Sequence, residues 1–208
     1  MINRNSVVRL MAVAAALVLP LGARAQSYES RQRVDTSLTL ERGGTLSVSV
    51  YSGRISVVGG SGSTVRIQGT VERGDMDLRA RSGSVTISTQ PGGHRSGRAD
   101  LDITVPVGTR VVAEGFSAPV TVRGVKGEAK VETLSGGVAV SDALGKVNVT
   151  SVSGTLSVNN VKGDVRAEAV SGVVELTHVD GDIDAESVSG RIAITDANSS
   201  SVRAETVS

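Results

Sequence analysis

The chain has no cysteine and no tryptophan among its 208 residues. Without cysteine there is neither a disulfide framework nor a lipidated N-terminal Cys. Aromatic residues are nearly absent too, since Tyr28, Tyr51 and Phe116 are the whole set. A conventional core draws much of its buried area from aromatics, so this one must be assembled from Val, Ile, Leu and Ala. Charge of one sign is not in excess either, because 22 basic residues face 21 acidic ones. A nucleic-acid surface needs a basic excess and stacking aromatics, so that partner class is excluded.

Long hydrophobic runs are missing beyond the first residues. Arg4 and Arg9 make a basic start, Leu10 to Leu21 form an apolar stretch, and Ala23-Arg24-Ala25 is a small-residue processing site. This order is that of a secretory signal peptide over 1–25, with cleavage expected between Ala25 and Gln26. The apolar stretch is too short to span a bilayer. The mature protein is therefore expected outside the cytoplasm (periplasm, cell surface or secreted), without a membrane span. Residues 26–33 read as a linker. Charge divides unevenly, with 11 arginines against 9 acids over 26–116, then 8 basic against 12 acidic residues over 117–208.

Glycine is plentiful, and its placing is periodic. Ser-Gly recurs at Ser135-Gly136, Ser153-Gly154, Ser171-Gly172 and Ser189-Gly190, and a second glycine at Gly127, Gly145, Gly163 and Gly181. Both series step by eighteen, with Ser117-Ala118 one period upstream of the first. Such self-similarity marks a repeat architecture. Each coil divides into two nines approximating x-G-x-V-x-V-x-x-V. In the coil from Ser153, Leu156, Val158 and Val161 fill the apolar places of the first nine, and Val165, Ala167 and Val170 those of the second. The V-x-V pairs are a period-two strand signal with one face inward, and the third apolar residue follows a polar break where the chain turns.

The fold expected is all-β: a single-stranded, flattened β-solenoid with two short strands per coil and two sheets facing across a thin aliphatic core. One coil cannot stand alone. Its six aliphatic side chains contribute about 1.5–3 kcal/mol each, while ordering its residues costs about 1.5 kcal/mol apiece. Stability must therefore reside in the stacking of coils. Residues 34–116 are a looser version, with S-G-x-V-x-V at Ser52–Val57 and at Ser82–Ile87, a basic loop QPGGHRSGR, and the strand DLDITVPVGTRV. Pro106 in that strand suits a sheet edge or cap. This region reads as irregular opening coils, continuous with the regular coils over 117–208.

A signal peptide, S-G-x-V-x-V units, the segment ITVPVGTRV and then SGTLSVNNVKGDVRAEAVSG together resemble a large bacterial β-strand-repeat family of unknown function that carries the label "putative adhesin". The resemblance covers roughly Val34 to Ser208. It implies a β-solenoid of the cell envelope and supplies no catalytic residues. Domains of this kind usually run on further. Ser208, where the next Ser-Gly should begin, therefore suggests a truncated sequence or an open last coil through which the chain stacks on a partner or on itself.

Candidate chemistry is sparse. The serine column Ser117, Ser135, Ser153, Ser171, Ser189 and Ser208 repeats one turn residue, whereas a nucleophile needs a single base and oxyanion site. No G-x-S-x-G occurs. His94 lies in the basic loop, while His178 falls in register between Asn160 and Asp196 and could pair with Asp196. No serine or cysteine is placed to complete a triad. Asp182, Asp184 and Glu186 are a candidate cation site, although Ala185 and Arg191 occupy places where a calcium loop needs glycine and glutamate. No cofactor is expected. On the outer faces, Lys130, Asn148, Arg166, Asp184 and Arg203 beside Glu132, Thr150, Glu168, Glu186 and Glu205 read as a solvated surface. The flatter face of Thr121, Ser157 and Glu175 beside Arg123, Ser141, Asn159, Thr177 and Thr195 is the candidate binding face.

The function expected is a non-enzymatic envelope solenoid, an adhesin or protein-interaction scaffold for envelope proteins or surface glycans. A carbohydrate-binding or carbohydrate-active β-helix is the first alternative, with Asp182 and Asp184 as acids but no aromatic platform beside them. A partner in envelope-stress signalling is the second.

Overall fold

The structure, a computed structural model, describes residues 31–72, 74–91 and 97–207. The signal peptide, the Ala25–Gln26 junction, His94 and Ser208 lie outside the described residues. Regular structure among them is all strand. In chain order the strands are β1 (Arg31–Thr39), β2 (Thr45–Gly60), β3 (Thr64–Glu72), β4 (Gly74–Arg81), β5 (Ser84–Pro91), β6 (Arg98–Pro106), β7 (Arg110–Ser117) and β8 (Val120–Arg123). There follow β9 (Ala129–Ser135), β10 (Val138–Ala143), β11 (Val147–Ser153), β12 (Leu156–Lys162), β13 (Val165–Asp180), β14 (Ile183–Asn198) and β15 (Val202–Thr206).

The strands form two stacks joined by β2, β13 and β14, each of which runs through one stack and turns into the other. The first stack follows the order β4-β5-β2-β7-β9-β11-β13-β14-β15. The second follows β1-β3-β6-β2-β8-β10-β12-β13-β14. From β7 onward every pairing is parallel. Val111 faces Ala129, Ala129 faces Val147, Val147 faces Val165 and Val165 faces Ile183, in steps of the eighteen-residue period. The last step, Ile183 to Val202, is one residue longer because of the Asn-Ser-Ser-Ser turn. Alternate residues of both stacks meet in one aliphatic core of Val, Ile, Leu and Ala. The all-β, solenoid-like reading stands.

Two corners per coil are built differently. At the first, the chain bends through a positive φ at Gly124, Asp142, Asn160, His178 and Asp196, with φ of 52–57° at the four non-glycine residues. Asn and Asp tolerate this left-handed conformation because their short polar side chains bond locally. Asn160 Nδ2 donates to Asp142 Oδ1 at 2.6 Å, one coil away. At the other corner the glycine ladder is required by close approach. A Cβ built on Gly172 would lie 1.9 Å from the carbonyl oxygen of Gly154, one coil before.

That difference corrects the expected core. Val161 follows the left-handed residue Asn160 and is fully buried, as expected from the polar break. Val170 was expected inward by the same rule, yet it is 47% exposed and its neighbour Ala169 is buried instead. No left-handed residue interrupts Glu168-Ala169-Val170, so strict alternation continues and turns Val170 outward.

Residues 34–116 also depart from the coils expected of them. Strands β1, β3 and β4 are antiparallel to their neighbours. The Ser82-Gly83 unit, read as a coil start, is a two-residue hairpin turn between the paired residues Arg81 and Ser84, with Gly83 at φ 76°. A loop that short can join only antiparallel strands. Pro106 is not on an edge strand: β6 lies between β3 and β2, and the proline falls at its last residue, beyond the final β3 partner Thr104. Among the described residues the free edges at this end belong to β1 and β4. Arg31, Arg33 and Asp35 stud one, and Asp75, Asp77, Arg79 and Arg81 the other, charges that discourage further strand addition.

Candidate functional site

Because the strands repeat in register, each outward position becomes a column along the stack. The expected binding face lies on the second stack. Thr121, Ala139, Ser157, Glu175 and Ala193 form one column, and Arg123, Ser141, Asn159, Thr177 and Thr195 the next. All point away from the core, and Arg123 Nε donates to Ser141 Oγ at 3.2 Å. The columns continue through Ser56 and Val58 of β2 to Asp102 and Thr104 of β6, where Arg54 pairs with Asp102 at 3.5 Å. This is a polar, flat surface with short side chains.

The candidate cation site does not assemble. Asp182 sits at a corner, where its Oδ1 accepts from Ser200 Oγ at 2.6 Å and from the Ser201 amide at 3.2 Å. Asp184 and Glu186 lie on the outer face of the first stack, and Arg166 claims Asp184 Oδ2 at 3.2 Å. Among the described residues no three His, Asp or Glu groups converge to hold a metal. The spacing fails for a physical reason. Alternate residues of a strand lie about 6.6–6.8 Å apart, and Asp182 has already left the strand. His178 does meet Asp196, at 3.4 Å between Nε2 and Oδ2, with both side chains more than 60% exposed.

On the first stack the third apolar place of the second nine, expected inward, faces outward and joins a longer column. Tyr51, Phe116, Leu134, Val152, Val170, Val188 and Val207 occupy one outward column, and each is 38–68% exposed. Tyr51 and Phe116 at its head stack at 4.7 Å between centroids with 8° between planes. Small residues lie beneath: Thr133, Ser151, Ala169 and Ser187 are buried, and the Thr133 hydroxyl is 3.0 Å from Ser151 Oγ. Two residues back along each strand, on the same outward face, runs a second column of Glu114, Glu132, Thr150, Glu168, Glu186 and Glu205. Together the two columns line a shallow groove. Among the described residues no lysine or arginine lines it.

The profile of the family described as Toastrack DUF4097 matches residues 20–208. The chain belongs to the Toastrack family. This agrees with the resemblance to the bacterial repeat family of unknown function. No curated protein matches the chain. Among solved structures, a "putative adhesin" from Bacteroides fragilis is 11% identical, with a TM-score of 0.47 over 86% of this chain and 99% of that one. A "putative cell adhesion protein" from Clostridium sporogenes is 12% identical, with a TM-score of 0.44 over 84% of this chain and 100% of its own. Likeness at this level carries no functional argument.

On this Toastrack chain the cations beside the glutamate column are turned toward it. Lys130 Nζ is 2.7 Å from Glu132, Arg166 Nε 2.6 Å from Glu168, and Arg203 Nη2 2.8 Å from Glu205. The hydrogen bond to Glu132 holds the Lys130 ammonium above the ordinary lysine value, and Glu168 and Glu205 do the same for Arg166 and Arg203. These pairs are exposed to water and are individually worth little. The apolar column was hidden by treating both nines alike. The signal that separates them is the residue pair before the third apolar place. Asn-Asn, Ser-Asp and Thr-His in the first nine admit a left-handed turn, whereas Glu-Ala, Thr-Ser and Glu-Ser in the second do not.

Proposed function

We propose that this Toastrack chain is an exported, non-enzymatic scaffold of the cell envelope that holds a partner macromolecule along its outward columns. The observation that carries the reading is the unbroken exposed apolar column from Tyr51 to Val207. Contiguous exposed apolar surface of this kind marks an interaction site on soluble proteins. Export rests on the basic, apolar and small-residue pattern that ends at Ala25. No helix among the described residues is long and apolar enough to cross a membrane.

The carbohydrate alternative gains little from the aromatic pair. The rings stack on one another along the column, so they offer edges outward, whereas a sugar platform needs a ring face. The test is affinity capture from an envelope fraction with the intact mature chain, run beside a chain carrying Val152→Ser and Val170→Ser, with a polysaccharide hydrolase screen in parallel. Capture of a defined protein that is lost with the two substitutions supports the scaffold. Turnover of any polysaccharide, or capture indifferent to the column, overturns it.

A further inference from the structure

The groove of the first stack has a definite chemistry: an apolar column, a glutamate column along one flank whose Glu132, Glu168 and Glu205 are paired from outside by Lys130, Arg166 and Arg203, serines and glycines on the other flank, and no basic residue among the described residues that line it. Three kinds of occupant can be compared. A second copy related by a twofold axis would lay its glutamates against the serine flank or against the first copy's glutamates, gaining no charge complementarity in either case. An anionic lipid surface would meet Glu114, Glu132, Glu168, Glu186 and Glu205 and be repelled. A cationic occupant is attracted.

The repeat of the column decides the occupant's backbone. Rungs lie about 4.8 Å apart. Same-face residues of an extended peptide lie about 6.6–6.8 Å apart and fall out of step within two rungs. A polyproline helix, at about 9.3 Å per turn, would touch only every second rung. An α-helix has a pitch of about 5.4 Å and offers one apolar side chain per turn with a neighbouring cation. Over four rungs its lattice drifts by about 2.4 Å, half a rung, so four to five turns can stay in contact. The stacked pair of Tyr51 and Phe116 ends the column and gives such a helix an aromatic stop.

We infer that the groove binds a cationic amphipathic α-helix of a partner protein, lying along the solenoid axis with its apolar stripe on Phe116–Val207 and its lysines or arginines on the glutamate column. This rests on the scaffold reading and names the partner's chemistry. Glu132 and Glu168 release Lys130 and Arg166 only by exchanging one exposed ion pair for another, a small cost.

The probe is a synthetic eighteen-residue peptide with leucines at helical i, i+3 and i+4 spacing flanked by lysines, titrated into the full mature chain. Binding should bring helical circular dichroism and weaken with added salt. A peptide with every lysine replaced by glutamate should bind at least tenfold more weakly, and so should a scrambled peptide. Combined Glu132→Gln, Glu168→Gln and Glu186→Gln substitutions should weaken the lysine peptide about tenfold, three exposed ion pairs' worth. Unchanged melting of that variant excludes misfolding. Equal binding of the glutamate peptide, tighter binding of a proline-rich peptide, or preference for anionic vesicles would each overturn the inference. If envelope capture still depends on Val152 and Val170 while the lysine peptide fails to bind, the helix assignment falls and the scaffold reading survives.

Discussion

Two valines of one coil, replaced by the same residue, separate this arrangement from one in which both nines point inward alike. Val158 is 1% exposed and Val170 is 47% exposed. Val158→Asp removes a burial contribution of about 1.5–3 kcal/mol. It also places a carboxylate among Val140, Leu176 and their neighbours without a partner, at a further cost of several kcal/mol. The total, about 5 kcal/mol or more, approaches the whole stability of an ordinary domain. At about 2–4 °C per kcal/mol for a chain of this size, melting should fall by more than about 10 °C, or the coils should not assemble. Val170→Asp changes an outward column position and should stay within about 0.5 kcal/mol, a shift under about 2 °C. Thermal melts by circular dichroism, with urea midpoints beside them, give the comparison. Equal losses for the two variants would refute the alternation argument for the second nine.

Gly172→Ala should cost about 1–3 kcal/mol, because its Cβ meets the Gly154 carbonyl oxygen at 1.9 Å and the corner backbones must separate. Urea midpoints would record it, and no loss would mean that the corner is slack. Asn160→Ala should cost about 1–2 kcal/mol, because alanine keeps the Cβ at φ 53° and loses the polar side chain that eases that conformation and bonds Asp142, while Asn160→Gly, with no Cβ, should be milder; an equal or larger loss for glycine would refute the backbone role. Glu132→Gln should bring the Lys130 titration, followed by NMR at Nζ, back down toward 10.5. Because the folded value is the raised one, whatever stability the pair lends is present at and below the ordinary lysine value and fades as pH climbs through the folded one. A titration of Lys130 unmoved by the substitution would refute the pairing.

The regular half was legible in sequence because one signal, the period of eighteen, fixes both strand pairing and core columns. Leu156, Val158, Val161, Val165 and Ala167 are all inward, as the V-x-V spacing requires. Val170 was misplaced because hydrophobicity was allowed to outvote alternation; the backbone has no bend there to bring it in. The opening half was harder for a different reason. Ser-Gly serves as a coil corner at Ser171-Gly172 and as a hairpin at Ser82-Gly83, and the dipeptide alone does not say which. The candidate cation site failed because acids two apart in sequence are spread along a strand, while Arg166, eighteen residues before Asp184, sits 3.2 Å from its carboxylate.

Strand β2 occupies a position that its early place in the chain does not suggest. Thr45 meets Ser84 on one side and Arg110 on the other, so both edges of β2 are filled by residues made later. During synthesis this strand must wait unpaired for partners on either flank, and the charged hairpin end and the coil array then grow away from it in opposite directions. Assembly on one flank makes no demand on the other. Whole coils of eighteen residues can therefore be gained or lost beyond β7 without disturbing β2 or the hairpins behind it. Evolution can then adjust the reach of the outward columns by duplication alone, leaving the chemistry of each rung as it was.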